Sequence, residues 1–165
     1  MTPDPDPDPD PDLSLGPAPD AGDALATLDA LAQLSFLVHR LLAAAGAEHD
    51  LSVIQLRLLG ILRDRQAGML ELGGHLGLDK SSMTGLVTRA ERRGLVRRSP
   101  SPHDGRAVLV SLTPAGQELT GRAAAGIAAR LGELTGHLAP GERAELTRLA
   151  TVLVAAGASA PPAAR

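Results

Sequence analysis

The chain has 165 residues, no Cys, one aromatic residue (Phe36) and a formal net charge of −3. That length suits a single domain. The lack of Cys excludes disulfides, thiolate metal sites and a cysteine nucleophile, and the lack of Tyr and Trp removes the stacking platforms that single-stranded nucleic acid requires. The net charge conceals an asymmetry: five Asp lie within residues 1–12, and without them −3 becomes +2. Leaving out Asp20 and Asp23 as well puts +4 on residues 24–165, so the body of the chain is basic.

Residues 1–12 are a Pro-Asp repeat with a like charge at every second position and nothing apolar to bury. Residues 1–22 are therefore expected to be an extended, disordered acidic tail. With no basic n-region or apolar h-region, it is not a signal peptide. Residues 23–48 read as a helix with a stripe of Leu25, Leu28, Leu31, Ala32, Ser35, Val38 and Leu42. Asp29, Gln33, His39 and Arg40 interrupt it too often for a membrane span. Ser52 and Gln55 form a capping-box pair at the start of a second helix. There Val53, Ile54, Leu56, Leu58, Leu59, Ile61 and Leu62 cover nearly every angle, the pattern of a centrally buried helix. Arg63-Asp64-Arg65-Gln66 then leads through Ala67-Gly68 into the most informative stretch, Leu70 to Thr113.

That stretch reads as helix, turn, helix, and two strands around a loop. Gly77-Leu78-Asp79 makes a turn of helix-turn-helix length with a Gly in it. Asp79 is placed to cap the second helix, and Gly94 to close it in a left-handed conformation. Met83, Leu86, Val87 and Ala90 form one buried stripe. The opposite face carries Ser81, Gly85, Thr88 and Arg92, flanked by Ser82, Thr84 and Arg89. A solvated helix face is ordinarily rich in Glu and Lys at ion-pairing spacing, whereas hydroxyls, a Gly and arginines bond phosphates and base edges. The bland alternative is an αα-hairpin inside another helical domain. Charge decides between them: Lys80, Arg89, Arg92, Arg93, Arg97, Arg98 and Arg106 face only Glu91 and Asp104 between residues 80 and 106. A local +5 on a chain of net −3 is the footprint of a polyanion partner.

Residues 95–99 and 107–112 are short and rich in β-branched side chains. They flank Pro100-Ser101-Pro102-His103-Asp104-Gly105, which must turn. Thr113 then caps a long helix opening with Pro114, a favoured first-turn residue. Leu119, Ala123, Ile127, Leu131, Leu134 and Leu138 form its stripe. Pro140 restarts the chain into a last helix with Leu146, Leu149, Ala150 and Leu153, and residues 157–165 are expected to fray into a disordered tail.

The order LGLDKSSMTGLVTRAERRGLVRR, then HDGR, then VSLTPAG resembles the MarR family of bacterial transcription regulators. The matching features are the Gly-Leu pair after the second helix, Asp104 and Arg106 in the wing, and Leu112, Thr113 and Gly116 beyond it. The resemblance spans Ala24 to Ala156, with one departure at Gly105, where many relatives carry a second basic residue. It implies a mainly α fold with a small β-wing: a winged helix-turn-helix lobe (residues 49–113) between dimerisation helices at 23–48 and 114–156. It implies a homodimer that binds a palindromic operator in double-stranded DNA as a ligand-responsive repressor, cytoplasmic and nucleoid-associated, with no membrane partner.

The residues expected to contact DNA are Ser81, Ser82, Thr84, Gly85, Thr88, Arg89, Arg92, Arg98, His103, Asp104 and Arg106. Gly85 would let the helix backbone approach closely, and Asp104 would hold Arg106 for a minor groove. Phe36, His39, Arg40, Gln55 and Arg57 are the residues that could line a pocket for a small-molecule effector. The five histidines (His39, His49, His75, His103, His137) lack metal-ligand spacing, so no metal or other cofactor is expected. No nucleophile, carboxylate pair or phosphate loop suggests an enzyme. The runner-up reading is a winged-helix module for protein contact, which would present exposed Leu, Met or aromatic anchors instead.

Overall fold

Capping chemistry sets where the elements begin and end. The computed structural model describes residues 20–102 and 107–159, and the chain divides into two compact units, residues 1–36 and residues 37–165. Helix α1 (Ala21–Ala47) starts in the first and ends in the second. Ala21 and Gly22, assigned to the tail by composition, are helical, because the Asp20 carbonyl accepts the Ala24 amide at 3.0 Å and opens the first turn. Leu25, Leu28, Leu31, Leu34 and Phe36 of the first unit are all exposed. Helix α1 contains an 18-residue window of mean hydropathy 1.4, long and apolar enough to cross a bilayer, because its Leu, Val and Ala outweigh the few polar residues.

In the second unit, α2 (Val53–Leu62) opens with the capping box read from the sequence. The Ser52 amide donates to Gln55 Oε1 at 2.9 Å and the Gln55 amide to Ser52 Oγ at 3.4 Å. Only Leu58, Leu59 and Leu62 of this helix are fully buried, while Val53, Ile54, Leu56 and Ile61 are half-buried. It is a one-sided core helix and not a central one. A two-residue strand β1 (Ala67–Gly68) precedes α3 (Met69–Leu76) and α4 (Lys80–Arg92). Both helices end the same way. The Leu78 amide reaches the Gly73 carbonyl at 3.0 Å, and the Leu95 amide reaches that of Ala90 at 3.0 Å. Gly77 and Gly94 sit between, at φ 66° and 69°, where a side chain would be strained.

Strands β2 (Val96–Pro100) and β3 (Val108–Leu112) form the wing, and the sheet order is β1-β3-β2, antiparallel throughout. Two details depart from the sequence reading. Pro100 pairs with Val108 instead of turning, which is tolerated because β2 is an edge strand. Strand β1, paired through Ala67 with Val110, is too short to show any alternation in sequence. The core gathers Leu58, Leu59 and Leu62 of α2, Leu72 and Leu76 of α3, the α4 stripe, and Val96, Val110 and Leu112 of the sheet.

Helices α5 (Pro114–Thr135) and α6 (Pro140–Ser159) follow. Residues 157–159, expected in the tail, remain helical; the alanines around Gly157 favour continuing the turn. All of residues 140–157 are exposed in the single chain. Thr113 caps α5, its Oγ1 accepting the Gly116 amide at 3.0 Å while donating to the Gly94 carbonyl at 2.6 Å. A Cβ on Gly116 would lie 1.9 Å from the Leu95 carbonyl oxygen. Gly116→Ala is expected to destabilise the fold by about 1–3 kcal/mol, as overpacking against backbone does. Gly121→Ala, in the same helix with open space around it, should gain about 0.5–1 kcal/mol. Urea unfolding of the two variants checks both signs; equal stability would remove the close approach from the account.

Candidate nucleic-acid interface

Helix α4 has two chemically distinct faces. Met83, Leu86, Val87 and Ala90 are buried in the core. Lys80, Ser81, Ser82, Thr84, Arg89 and Arg92 are exposed, with Gly85 and Thr88 half-buried. The helix opens on Asp79, whose Oδ1 accepts the amides of Ser81 and Ser82 at 2.8 and 3.0 Å. The same carboxylate also takes both hydroxyls, Ser81 Oγ at 2.6 Å and Ser82 Oγ at 2.7 Å. The Ser81 hydroxyl bond leads the four, and together they hold the Asp79 pKa far below its ordinary 3.8. Thr84 Oγ1 donates to the Lys80 carbonyl at 2.8 Å.

The basic residues separate into two groups. Arg98 of β2 forms an ion pair with Glu91, donates to Thr88 Oγ1 at 3.0 Å, and reaches the Thr84 carbonyl at 3.5 Å. It ties the wing to α4. Arg93 donates to the Asp50 and His49 carbonyls at 2.6 and 3.0 Å, and Arg97 donates to Ser111 Oγ across the sheet at 3.2 Å. Lys80, Arg89 and Arg92 make no ion pair with a described residue. Gly85 has no packing need for a missing side chain: a Cβ there would meet only the Arg89 guanidinium, at 3.3 Å. The wing residues His103, Asp104 and Arg106 lie outside the described residues; the flanking strands close on a bond from the Ser101 amide to the Ala107 carbonyl at 2.9 Å.

The residues expected to line an effector pocket fall in both units. Phe36 is exposed in the first unit. In the second, His39 and Arg40 are exposed, Gln55 is held in the capping box, and Arg57 donates to the His75 carbonyl at 3.2 Å. Two cavities of this unit are lined by other residues. One of about 630 Å³ lies between α3 and α4, against Met69, Leu70, Leu78, Lys80 and Met83. Another of about 350 Å³ lies between α2 and α5, against Leu56, Leu59, Thr120 and Leu131. Sequence reasoning missed the Arg98–Glu91 and Arg93–loop contacts, because each joins two different elements and no single element's period links the partners.

A helix-turn-helix whose second helix is polar outward and buttressed by a β-wing defines a winged-helix DNA-binding regulator. Comparison with known proteins agrees. The profile of the MarR family matches residues 49–107. The HTH-type transcriptional regulator TtmR of Methylorubrum extorquens is 32% identical over 128 residues, 73% of this chain and 65% of that protein. The homoprotocatechuate degradative operon repressor of Escherichia coli is 31% identical over 112 residues, 67% of this chain and 76% of that one. A crystal structure of mutant MarR from E. coli complexed with operator DNA superposes with a TM-score of 0.66 at 27% identity, over 82% of this chain and 99% of that chain. The chain belongs to the MarR family; it is a transcription regulator and not an enzyme.

Two measurements follow from this geometry. Asp79 is ionised in the native state, so its contribution to stability is complete above its unfolded pKa near 3.8 and is lost as pH falls through the lowered native value. The stability difference between wild type and Asp79→Ala should be constant above about pH 5 and shrink in acid. Urea midpoints across pH test this; a difference that grows on acidification would contradict it. Gly85→Ala should stabilise the free protein by about 0.5–1 kcal/mol yet weaken duplex binding, because the methyl group stands on the exposed face. Unfolding and binding titrations on the same preparation separate the two effects.

Proposed function

We propose that the chain is a homodimer that binds a palindromic duplex through α4 and represses transcription, with release controlled by a small-molecule effector. The carrying observation is the outward face of α4: hydroxyls, a glycine and cations that make no ion pair with a described residue, with no apolar anchor among its exposed residues. A protein-docking face would be expected to present such anchors. On this reading Arg89 and Arg92 are the main donors to DNA, and Arg98 acts indirectly, by holding the wing.

Dimerisation is supported by apolar faces that the single chain leaves uncovered: Leu25, Leu28, Leu31 and Leu34 on α1, and Leu146, Leu149, Val152 and Leu153 on α6. A second copy covering them would set two recognition helices about 34 Å apart, one turn of B-DNA. Repression is carried over by likeness to the E. coli operon repressor. An effector is supported by the hollow of about 630 Å³ beside α4, within the range of small-molecule sites.

Selection of bound duplexes from a random library is expected to return an inverted repeat. Removal of residues 140–165 should abolish the dimer in sedimentation. A soluble, monomeric truncation that still selects a palindrome would sink the proposal. Arg92→Ala should lower the magnitude of the slope of log K against log salt by about one; an unchanged slope would place Arg92 away from phosphate.

A further inference from the structure

We propose that Ser81 and Ser82 read DNA as hydrogen-bond acceptors only, and that the base they select is the adenine of an A·T pair. The proposal rests on the DNA-binding role assigned to α4 and names what one part of that helix recognises. A hydroxyl carries one hydrogen and two lone pairs. Ser81 and Ser82 commit their hydrogens to the Asp79 carboxylate at 2.6 and 2.7 Å, and Thr84 commits its own to the Lys80 carbonyl at 2.8 Å. All three side chains are nonetheless exposed. What they offer outward is lone pairs.

The hydrogens are not readily withdrawn. Bonds to a carboxylate are about twice as strong as neutral ones. A phosphate taking either hydrogen would also strip Asp79 of a donor while bringing a second anion beside it. Phosphate oxygens only accept, so the serines are mismatched to the DNA backbone. They are equally mismatched to guanine N7 and O6 and to thymine O4, and matched to the amino groups of adenine and cytosine.

The surroundings choose between those two. Ser81 and Ser82 border a hollow of about 330 Å³ with Ile54, Leu78, Gly85, Leu86 and Arg89. Apolar side chains next to acceptor oxygens complement adenine N6 together with the C5 methyl of its paired thymine. A cytosine offers the amine but no paired methyl. Arg89, on the same hollow, supplies the donor for a neighbouring guanine. Ser81, Ser82 and Thr84 thus present acceptors before Gly85, beside the Lys80 ammonium, and Arg89 and Arg92 present donors beyond it.

The test is duplex selection with wild type, Ser81→Ala, Ser82→Ala and Asp79→Asn. Asn is as good a helix cap as Asp, so the fold is retained, and a melting curve verifies it. Its amide nitrogen, in the place of Oδ2, can donate to Ser82 Oγ and free that hydrogen to turn toward the base, while Oδ1 still accepts the two cap amides and the Ser81 hydroxyl. The wild type should enrich adenine at a position where at least one serine variant loses that preference about ten-fold. Where that serine is Ser82, Asp79→Asn should lose the preference at the same position and admit guanine or thymine; where it is Ser81, whose Oδ1 partner is retained, Asp79→Asn should keep it. The salt dependence of both serine variants should equal that of wild type. Enrichment of any base other than adenine at the serine-dependent position would overturn the proposal. So would unchanged preferences in both serine variants, a changed salt slope, or an Asp79→Asn protein that still selects adenine at a Ser82-dependent position. If wild type selects no sequence at all, the DNA-reading role of α4 falls, and this assignment with it.

Discussion

The structure turns on the joint where the end of α4 meets the start of α5. The Leu95 carbonyl oxygen accepts the Thr113 amide at 3.1 Å and stands where a Gly116 side chain would have to be. The Thr113 hydroxyl meanwhile bridges the Gly94 carbonyl and the Gly116 amide. One residue earlier the chain pairs Val96 with Leu112 and starts the wing. The recognition helix, the wing and α5 therefore share one set of backbone atoms. Moving any of the three would break these hydrogen bonds, each worth about 0.5–1.5 kcal/mol net.

Charge alone overstates the surface available to DNA. Arg93, Arg97 and Arg98 all count toward the positive excess between residues 80 and 106, yet each is engaged with another part of the chain. They still contribute to the long-range field that attracts a polyanion. Their hydrogen-bond donors are directed inward: Arg98 to the inner edge of the recognition helix, Arg93 to the loop after α1. On α4, Lys80, Arg89 and Arg92 make no ion pair with a described residue.

Much of this was legible from residue types at fixed offsets. Ser52 with Gln55, Asp79 before Ser81, Gly77 and Gly94 after apolar stripes, and Thr113 before Pro114 are local signals, and each helix boundary they marked in the second unit is observed. Local chemistry acts within a turn or two of the chain, so it can be read from the chain. Non-local features could not be read that way. Strand β1 exists because Ala67 finds Val110, and Pro100 stays in the sheet because nothing needs its missing amide. Gly116 was visible as part of a motif, but the reason for it, the Leu95 carbonyl, is 21 residues away. The serine hydroxyls were correctly seen as facing outward, though not that their hydrogens were already committed.

The recognition helix is thus fixed at both ends by different means. At its start a single carboxylate gathers two amides and two hydroxyls. At its end the Arg93 guanidinium grips the carbonyls of His49 and Asp50, the latter held at φ 55°, a conformation Asp tolerates better than most residues. The adjoining Glu48 is paired in turn with Arg130 of α5. The loop at 48–50 therefore lies between the recognition helix and α5, bound to each by an arginine. A helix held in this way loses little further conformational entropy on meeting a ligand, which is what preorganisation requires. It also means that α4 is positioned by residues outside its exposed polar face: Arg93 and Glu48 fix the orientation of the helix and take no part in the chemistry of that face.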